Sequence, residues 1–320
     1  RRGEIDKAIR IHHKLLECPE LSERNSAWAK LEIARDYLLA GLLGRAENIL
    51  LELAKQKELK TEAVEHLIEI YQRESDWEKA EEVARQLMGT DDSNIRKTLA
   101  HFVCEMVEEK LENGDVYSAR ELLRRAGEYD DSCFRVCLLR ARTDYESKYY
   151  EESLKHLRRA RDLRPDLAGS TLEPYRNSCL ALNDLDSYGR FLEECIEQVP
   201  DLKVIDGVPV LEVVDALATH RASVDGPKAS RAFLGDQLLR RPTLKGFGRL
   251  IEEYEKANIS VPSEYVHVAR NYAEALANNN PLYQCNNCGF SARTLLWQCP
   301  SCHSWERFEY MPEIGQATPT

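Results

Sequence analysis

The chain has 320 residues, enough for one extended domain or two compact ones. Its 55 acidic residues outnumber its 44 basic ones, and the net charge of −11 opposes general binding to nucleic acid or to an anionic membrane. No apolar run approaches the roughly 18 residues of a membrane span, and no glycine-rich phosphate loop or hydrolase motif occurs. We therefore expect a protein that is not an enzyme and does not bind nucleic acid.

Helical periodicity is nearly unbroken from Ile5 to about Cys195, in pairs of helices separated by Gly, Asp or Pro turns. The tetratricopeptide repeat is such a pair, with a period of about 34 residues and small side chains where its two helices cross. Aligning the pairs gives intervals of 38, 34, 39 and 34 between the small residues Ala8, Ala46, Ala80, Ala119 and Ser153. We expect the two longer intervals to reflect longer loops at Ser22–Asn25 and Thr90–Asn94.

Other marks of this repeat fall in register with the small residues. Tyr37 and Tyr71 each lie nine residues before one, at the aromatic position of the first helix. Gly41 and Gly114 each lie five residues before one, at the turn between the helices. Pro165 closes its unit where a helix must stop. The pattern therefore predicts an all-α superhelical solenoid of tetratricopeptide repeats.

The predicted repeats fill residues 1–200. Arg1–Leu16 has the pattern of the second helix of a repeat whose first helix is missing. Five repeats follow, the last of them degenerate, at 26–58, 60–90, 95–128, 133–166 and 169–200. Each helix pair has an apolar face that it buries only by stacking on its neighbours.

The pattern loosens between residues 201 and 280, where we expect atypical helices that cap the solenoid. The predicted helices are Val208–Thr219, Pro227–Arg240, Leu244–Ala257 and Pro262–Ala277. Asn278–Asn280 has the composition of a hinge, and 312–320 that of a frayed tail.

Two Cys-x-x-Cys pairs lie between these segments, in a predicted ribbon at 281–311. Cys285 and Cys288 form the first pair, and Cys299 and Cys302 follow after a spacer of ten residues. Four thiolates complete a tetrahedral shell for one metal ion and leave no position for water or substrate, so we expect a structural site. Zinc and iron both suit a thiolate cage, and both stay open. The short spacer predicts a small β module rather than a larger zinc fold.

The other cysteines are scattered through helical segments without the spacing of a disulfide framework. They are Cys18, Cys104, Cys133, Cys137, Cys179 and Cys195. We expect small apolar residues in a reducing compartment.

Repeats followed directly by a four-cysteine ribbon are an uncommon pairing, and the local sequence resembles one family. The matching segments are Arg2–His12, Arg35–Tyr37, Ala40–Gly41, Tyr283–Phe290 and Thr294–Cys302. They resemble the lipopolysaccharide assembly protein B family (LapB, also called YciM) of Gram-negative bacteria, over essentially the whole chain. The ribbon is the most specific part of this resemblance.

The resemblance implies a fold and a function. Family members carry an inner-membrane anchor, cytoplasmic repeats and a rubredoxin-like ribbon whose metal ligands match Cys285, Cys288, Cys299 and Cys302. They are adaptors that promote degradation of the lipid A deacetylase LpxC by the membrane protease FtsH, beside other lipopolysaccharide assembly proteins. The anchor is expected in the full-length protein and is absent here. Rubredoxins proper have glycine after both knuckles and a longer spacer, so His303 and the ten-residue gap favour a structural role.

An adaptor needs a surface for its client, and a solenoid offers a concave groove lined mainly by the first helix of each repeat. By register, we predict that the groove residues are Trp28, Leu31, Arg35, Glu65, Glu69, His101, Glu108, Leu138 and Arg142. The alternative function is a redox or metal sensor in which the repeats transmit the state of the cage. Direct binding of lipopolysaccharide and a homodimer stay open.

Overall fold

The computed structural model describes residues 5–89, 93–198, 208–240, 244–263, 265–267 and 283–310. The chain divides into two compact units, Arg1–Asp131 and Ser132–Thr320. This division falls between two predicted repeats, whereas our predicted boundaries at 200 and 280 follow changes of sequence pattern and stay a prediction.

The first unit consists of helices that each pack against the next one along the chain. They are α1 (Ile5–Leu16), α2 (Glu23–Leu39), α3 (Leu43–Leu53), α4 (Lys60–Glu74), α5 (Trp77–Ala84) with a 3₁₀ turn at Arg85–Leu87, α6 (Ser93–Glu112) and α7 (Val116–Tyr129). The pairs α2–α3, α4–α5 and α6–α7 are the three repeats predicted for this part of the chain.

The second unit continues with helix pairs and ends in a small sheet. Its helices are α8 (Phe134–Glu146), α9 (Tyr150–Leu163) with a 3₁₀ turn at Pro165–Leu167, α10 (Gly169–Ala181), α11 (Leu185–Gln198), α12 (Val208–Val224), α13 (Pro227–Arg240) and α14 (Leu244–Lys256). Its strands are β1 (Tyr283–Cys285), β2 (Ser291–Ala292) and β3 (Phe308–Tyr310). The helix predicted at Pro262–Ala277 falls mostly outside the described residues, as do the hinge at Asn278–Asn280 and the tail at 312–320.

The small residues at the helix crossings lie where their spacing predicted. Ala46, Ala80 and Ala119 have no exposed surface, Ser153 is 1% exposed, and Ala8 is 9% exposed. A larger side chain at these positions would push the helices of a pair apart. The predicted tetratricopeptide-repeat fold is thus confirmed at the contacts that define it.

The two long intervals have a different cause from the one we expected. Glu23–Asn25 and Ser93–Asn94 are helical, so the predicted loops are wrong at these residues, while 90–92 lie outside the described residues. The first helices of these repeats, α2 and α6, are instead longer, with 17 and 20 residues against 15 in α4 and 13 in α8. Ser22 caps α2 by accepting a hydrogen bond from the Asn25 N–H, so the helix starts early.

Each repeat turns between its helices through one residue with positive φ. This residue is Gly41, Ser75, Gly114, Lys148 or Asn183, with φ between 55° and 74°. In every case the next residue donates its N–H to the carbonyl five positions earlier, at 2.8–2.9 Å, as in a Schellman cap. The sequence pattern identified only the two glycines, because Ser and Lys carry no comparable turn signal, and it missed Asn183, although Asn adopts this conformation more readily.

One core cluster of the second unit lies between α9, α10, α11 and α12 and includes Ala141 of α8. Tyr175 of α10 stacks on Phe191 of α11 with ring centroids 3.8 Å apart. The guanidinium of Arg161, only 5% exposed, lies 4.9 Å from the Phe191 centroid and is neutralised by Asp162 and Glu194. Among the described residues, no helix is both long enough and apolar enough to span a membrane.

Candidate metal centre and partner-binding face

Each Cys-x-x-Cys pair forms a tight turn with the same hydrogen bond. Gly289 N–H donates to the Cys285 carbonyl, and His303 N–H donates to the Cys299 carbonyl, both at 2.8 Å. Gly289 and His303 have positive φ, 76° and 55°. His303 therefore occupies the left-handed position that glycine fills in the first turn, in keeping with the strain expected there.

A three-stranded antiparallel sheet in the order β2-β1-β3 carries the first turn. β1 pairs with both neighbours, and Cys285 at its end lies opposite Phe308 of β3. Cys285, Cys299 and Phe308 are buried, while Cys288 is exposed. The sheet fixes one pair of sulfurs, and the chain returning from the second turn into β3 holds the other pair against it.

The four sulfurs lie within 4.8 Å of one another. Cys285 Sγ is 3.6 Å from Cys302 Sγ, and Cys288 Sγ is 3.5 Å from Cys299 Sγ. These distances are too long for disulfides. They match the sulfur separation of about 3.8 Å expected around a tetrahedral zinc with bonds of about 2.3 Å. The cluster therefore fits one metal ion held by thiolates alone.

The thiols of this cluster differ in how readily they ionise. Burial raises the pKa of the Cys299 thiol to about 12. At Cys302 burial is outweighed by hydrogen bonds from Asn287 and Ser304, which lower the pKa of that thiol to about 5. A divalent cation favours the thiolate at every ligand, so the site binds metal with release of protons.

The spacer between the two turns attaches the ribbon to the repeat helices of the same unit. Leu295 and Trp297 pack on a cluster formed by Phe134 and Cys137 of α8 with Ala160 and Leu167. The Trp297 and Phe134 rings lie 5.8 Å apart. The sequence showed that the spacer is apolar. It could not predict the contact with α8, because the contacting residues are more than 150 positions apart.

Polar contacts surround this apolar contact. The guanidinium of Arg135, 2% exposed, lies over the Trp297 ring at 5.6 Å from its centroid. The Cys133 thiol donates to Glu306 Oε1 at 3.6 Å. Asp166, and more weakly Glu306 and Glu309, raise the pKa of Arg164 above its ordinary value. The ribbon is thus held on the repeat at 133–166 by apolar and charged groups together.

Comparison with known proteins bears on both parts of the chain. Residues 283–309 match the family model described as a rubredoxin metal binding domain. The chain is 30% identical over 305 residues to lipopolysaccharide assembly protein B of Escherichia coli K12, across 95% of this chain and 76% of that protein. It belongs to the lipopolysaccharide assembly protein B family. The protein of that name from Haemophilus influenzae strain Rd is 31% identical over 307 residues, across 95% of this chain and 75% of that protein.

Among solved structures, the tetratricopeptide-repeat protein YrrB, described as having an unusual peptide-binding site, matches at a TM-score of 0.36. That match has 12% identity and covers 65% of this chain and 98% of YrrB. The fold of this member of the lipopolysaccharide assembly protein B family is therefore described from its own helix pairs and its ribbon.

A charged network joins the first helices of two repeats in the first unit of this family member. Arg35 of α2 donates to Glu32 at 2.7 Å and to His66 Nε2 of α4 at 3.0 Å. The other ring nitrogen of His66 lies 3.5 Å from Glu69, which also accepts a hydrogen bond from Arg73. The sequence predicted Arg35 and Glu69 in the groove. It missed His66, because the contact of His66 with Arg35 joins two helices, and it also missed Arg73, although Glu69 and Arg73 form an i,i+4 pair within α4.

The other predicted groove residues differ in exposure. Trp28, Glu65 and Arg142 are exposed, and Glu69, Glu108, Leu138 and Arg35 are partly buried. Arg142 pairs with Glu146 at 2.9 Å. Leu138 packs against the apolar contact of the ribbon.

Two of the predicted groove residues are buried. Leu31 and His101 have no exposed surface. Leu31 shares the α2 face of Ala27, Ala34 and Leu38, which are also buried. The prediction that these two side chains face a groove open to a partner is therefore wrong, because they lie on buried faces of their helices.

Five of the six other cysteines are buried, as expected of small apolar residues, and Cys18 is exposed. Burial raises the pKa of both Cys179 and Cys195 to about 11, so neither thiol is ionised at neutral pH.

Proposed function

We propose that this chain is a non-enzymatic adaptor in lipopolysaccharide assembly, at the cytoplasmic face of the bacterial inner membrane, and that it promotes proteolysis of LpxC by FtsH. The observation that carries the proposal is the 30% identity over 95% of the chain to a protein named lipopolysaccharide assembly protein B. An adaptor increases turnover by holding client and protease together at a high effective concentration.

The charged network of the first unit supports a protein-binding role. Arg35 and Arg73 are each paired with a carboxylate, and their side chains are 31% and 37% exposed. A client carboxylate can replace Glu32 or Glu69 on these guanidinium groups, exchanging one charge-assisted hydrogen bond for another. Such exchange gives selectivity for a client segment without a large desolvation cost.

The metal ribbon has a structural role in this proposal. With four thiolates the metal has no position open to substrate. The ion would hold the two turns together, and Leu295 and Trp297 would brace α8. Zinc and iron are both compatible with the cage, so the proposal specifies the ligand set Cys285, Cys288, Cys299 and Cys302 and not the element.

The adaptor proposal is tested by charge reversal in cells that carry the full-length protein. Arg35→Glu and Arg142→Glu should each lengthen the half-life of LpxC. Arg24→Glu is the matched control, since Arg24 also lies on α2 but is 73% exposed, and its salt bridge is with Glu58 at 3.4 Å. Unchanged LpxC turnover in both groove variants, with normal thermal unfolding, would remove the support for the groove.

A redox or metal sensor is the second candidate function. The observation that favours it is the direct packing of Leu295 and Trp297, which lie between the metal-binding turns, on the repeat helix α8. A change at the cage would therefore reach the repeats through the contacts of the ribbon with α8. Two measurements distinguish the two functions: metal analysis and visible absorption of the purified protein. Both are made on the wild type and on a Cys299→Ser, Cys302→Ser variant. Redox-silent metal, with stability and LpxC turnover lost together in the variant, favours the brace. A reversible redox change of the cage, with a variant that stays equally stable but no longer responds, favours the sensor.

A further inference from the structure

Exposed apolar side chains recur at the turn that joins the two helices of a repeat. The α8–α9 turn presents Tyr145 and Tyr149, which are 38% and 57% exposed. The α10–α11 turn presents Leu180 and Leu185, which are 42% and 39% exposed. Tyr145 and Leu180 are 35 residues apart and therefore occupy equivalent positions of consecutive repeats.

The two turns lie on one edge of the second unit. α8, α9, α10 and α11 each pack against the next helix, and α8 also contacts α10. Because successive helices run in opposite directions, the C-terminal ends of α8 and α10 lie at the same edge, about 10 Å apart at the usual helix spacing. Across the first of these turns, the rings of Tyr145 and Tyr150 meet edge to face at 5.4 Å.

Exposed apolar side chains also lie beside two turns of the first unit, although Leu38 and Leu111, the equivalents of Tyr145 and Leu180 there, are each only 5% exposed. Leu39 and Leu42, at the α2–α3 turn, are exposed, and Tyr117, just after the α6–α7 turn, is 86% exposed. The repeat core does not require these side chains, since they remain in contact with water. Adjacent exposed apolar side chains, as at the α8–α9 and α10–α11 turns, are typical of an interaction surface.

The charges on this edge limit what it can bind. Glu151 and Asp186 flank the apolar residues, are exposed, and make no salt bridge within the described part of the chain. Lys148 is the basic residue of the first turn, and the second turn has none. Anionic lipid would be repelled, and an isologous contact between two copies would bring like charges together. A basic, apolar segment is complementary to the edge in both respects.

We propose that the turn edge, formed by Tyr145, Tyr149, Leu180, Leu185, Glu151 and Asp186, binds a segment of a partner protein in which Lys or Arg residues alternate with apolar ones. The apolar side chains would supply the affinity, and the carboxylates would select the basic partner and increase its rate of association. This surface shares no residue with the charged network on α2 and α4, and the proposal does not rest on LpxC being the client.

The test uses a short fluorescein-labelled peptide of alternating Leu and Lys residues, with a Leu and Glu peptide as its control. Tyr149→Ser with Leu185→Ser, and separately Glu151→Lys with Asp186→Lys, should each weaken binding of the Lys peptide by about tenfold or more. Glu20→Lys with Glu197→Lys changes the net charge equally at exposed positions outside these two turns and should leave binding unchanged. Equal weakening in this control, no weakening in the edge variants, or equal binding of the Glu peptide would overturn the proposal.

Two further measurements address other occupants. Binding to vesicles of phosphatidylethanolamine and phosphatidylglycerol, and molar mass by light scattering, should be the same for the wild type and the Tyr149→Ser, Leu185→Ser variant. Vesicle binding or dimerisation that depends on these residues would assign the edge to lipid or to a second copy. In cells, photo-crosslinkers placed at positions 149 and 185, but not at the exposed position 51 of α3, should attach to a protein segment containing Lys or Arg between apolar residues. Attachment only to segments without that pattern would contradict the proposal.

Discussion

Single backbone positions control how each repeat turns. The residue with positive φ is glycine at Gly41 and Gly114, but Ser75, Lys148 and Asn183 adopt the same conformation with a side chain. A left-handed conformation costs a residue with a Cβ roughly 1–2 kcal/mol relative to glycine. The turns of the second, fourth and fifth repeats are therefore strained, whereas glycine avoids this strain in the first and third repeats.

We predict that Lys148→Gly stabilises the second unit by about 1 kcal/mol, because glycine takes φ of +65° without steric cost. The urea midpoint of unfolding is the measurement. Lys148→Ala is the control: it removes the charged side chain but keeps the Cβ. Equal stabilisation by both variants would show that the side chain and not the backbone limits stability.

The capping aspartate of α11 gives a pH-dependent contribution. The hydroxyl and N–H of Ser187 lower the pKa of Asp184 below its ordinary value. Because the folded pKa is the lower one, the stabilisation is present above the unfolded pKa of about 4 and is lost as pH falls through the folded value.

Asp184→Ala should therefore be less stable than wild type at pH 7, and the difference should shrink as the pH falls below about 4. Asp184→Asn keeps a capping oxygen and should show a smaller loss with little pH dependence in this range. Thermal unfolding followed over a pH series checks both expectations. A deficit of Asp184→Ala that stays constant down to pH 2 would contradict a role of the charged carboxylate.

Among the elements, the ribbon depends on contacts outside its own sheet. Its sheet has three strands of two or three residues, which provide few apolar contacts. The metal site closes the ribbon, and the spacer residues Leu295 and Trp297 fix it to α8. Metal binding and docking are thus carried by different residues of one short segment, and substitution can separate them.

We predict that Trp297→Ala releases the ribbon from α8 at a cost of about 2 kcal/mol or more, while the protein keeps its metal. Hydrogen exchange should rise in α8 and in the ribbon, and metal content should not change. Phe290→Ala is the matched control, since Phe290 is a partly exposed ribbon aromatic whose ring contact is with Phe308 of the same ribbon. Loss of metal from Trp297→Ala would show that docking and metal binding are one cooperative event.

At the scale of the whole molecule, stability is distributed over neighbouring helix pairs within each unit. Each helix packs mainly on the helices next to it in sequence, and the chain divides into two compact units. In such repeat proteins the free energy is close to a sum of repeat and nearest-neighbour interface terms. A local defect is therefore expected to stay local.

Leu67→Ala tests this expectation at a fully buried position of α4. The substitution should cost roughly 2–5 kcal/mol. It should increase hydrogen exchange in α2 to α5 and leave α10 to α13 unchanged. A uniform increase over all described helices would instead show that the chain unfolds as one cooperative unit.

The sequence by itself determined the elements and the metal ligand set. The interval between small residues and the apolar periodicity predicted the helix pairs, since both follow from local geometry that every repeat shares. The two Cys-x-x-Cys pairs predicted four sulfurs in one place, because a two-residue gap brings each pair together without help from the rest of the chain.

Only the tertiary structure decided what depends on contacts between distant residues. Leu31 and His101 are buried, Arg35 meets His66 of the next repeat, and Trp297 meets Phe134 of α8. The extra residues of two repeats lengthen helices α2 and α6 instead of loops. Helical periodicity states which residues share a face, but packing between elements decides which faces are covered, because burial is set by the neighbours that a face meets.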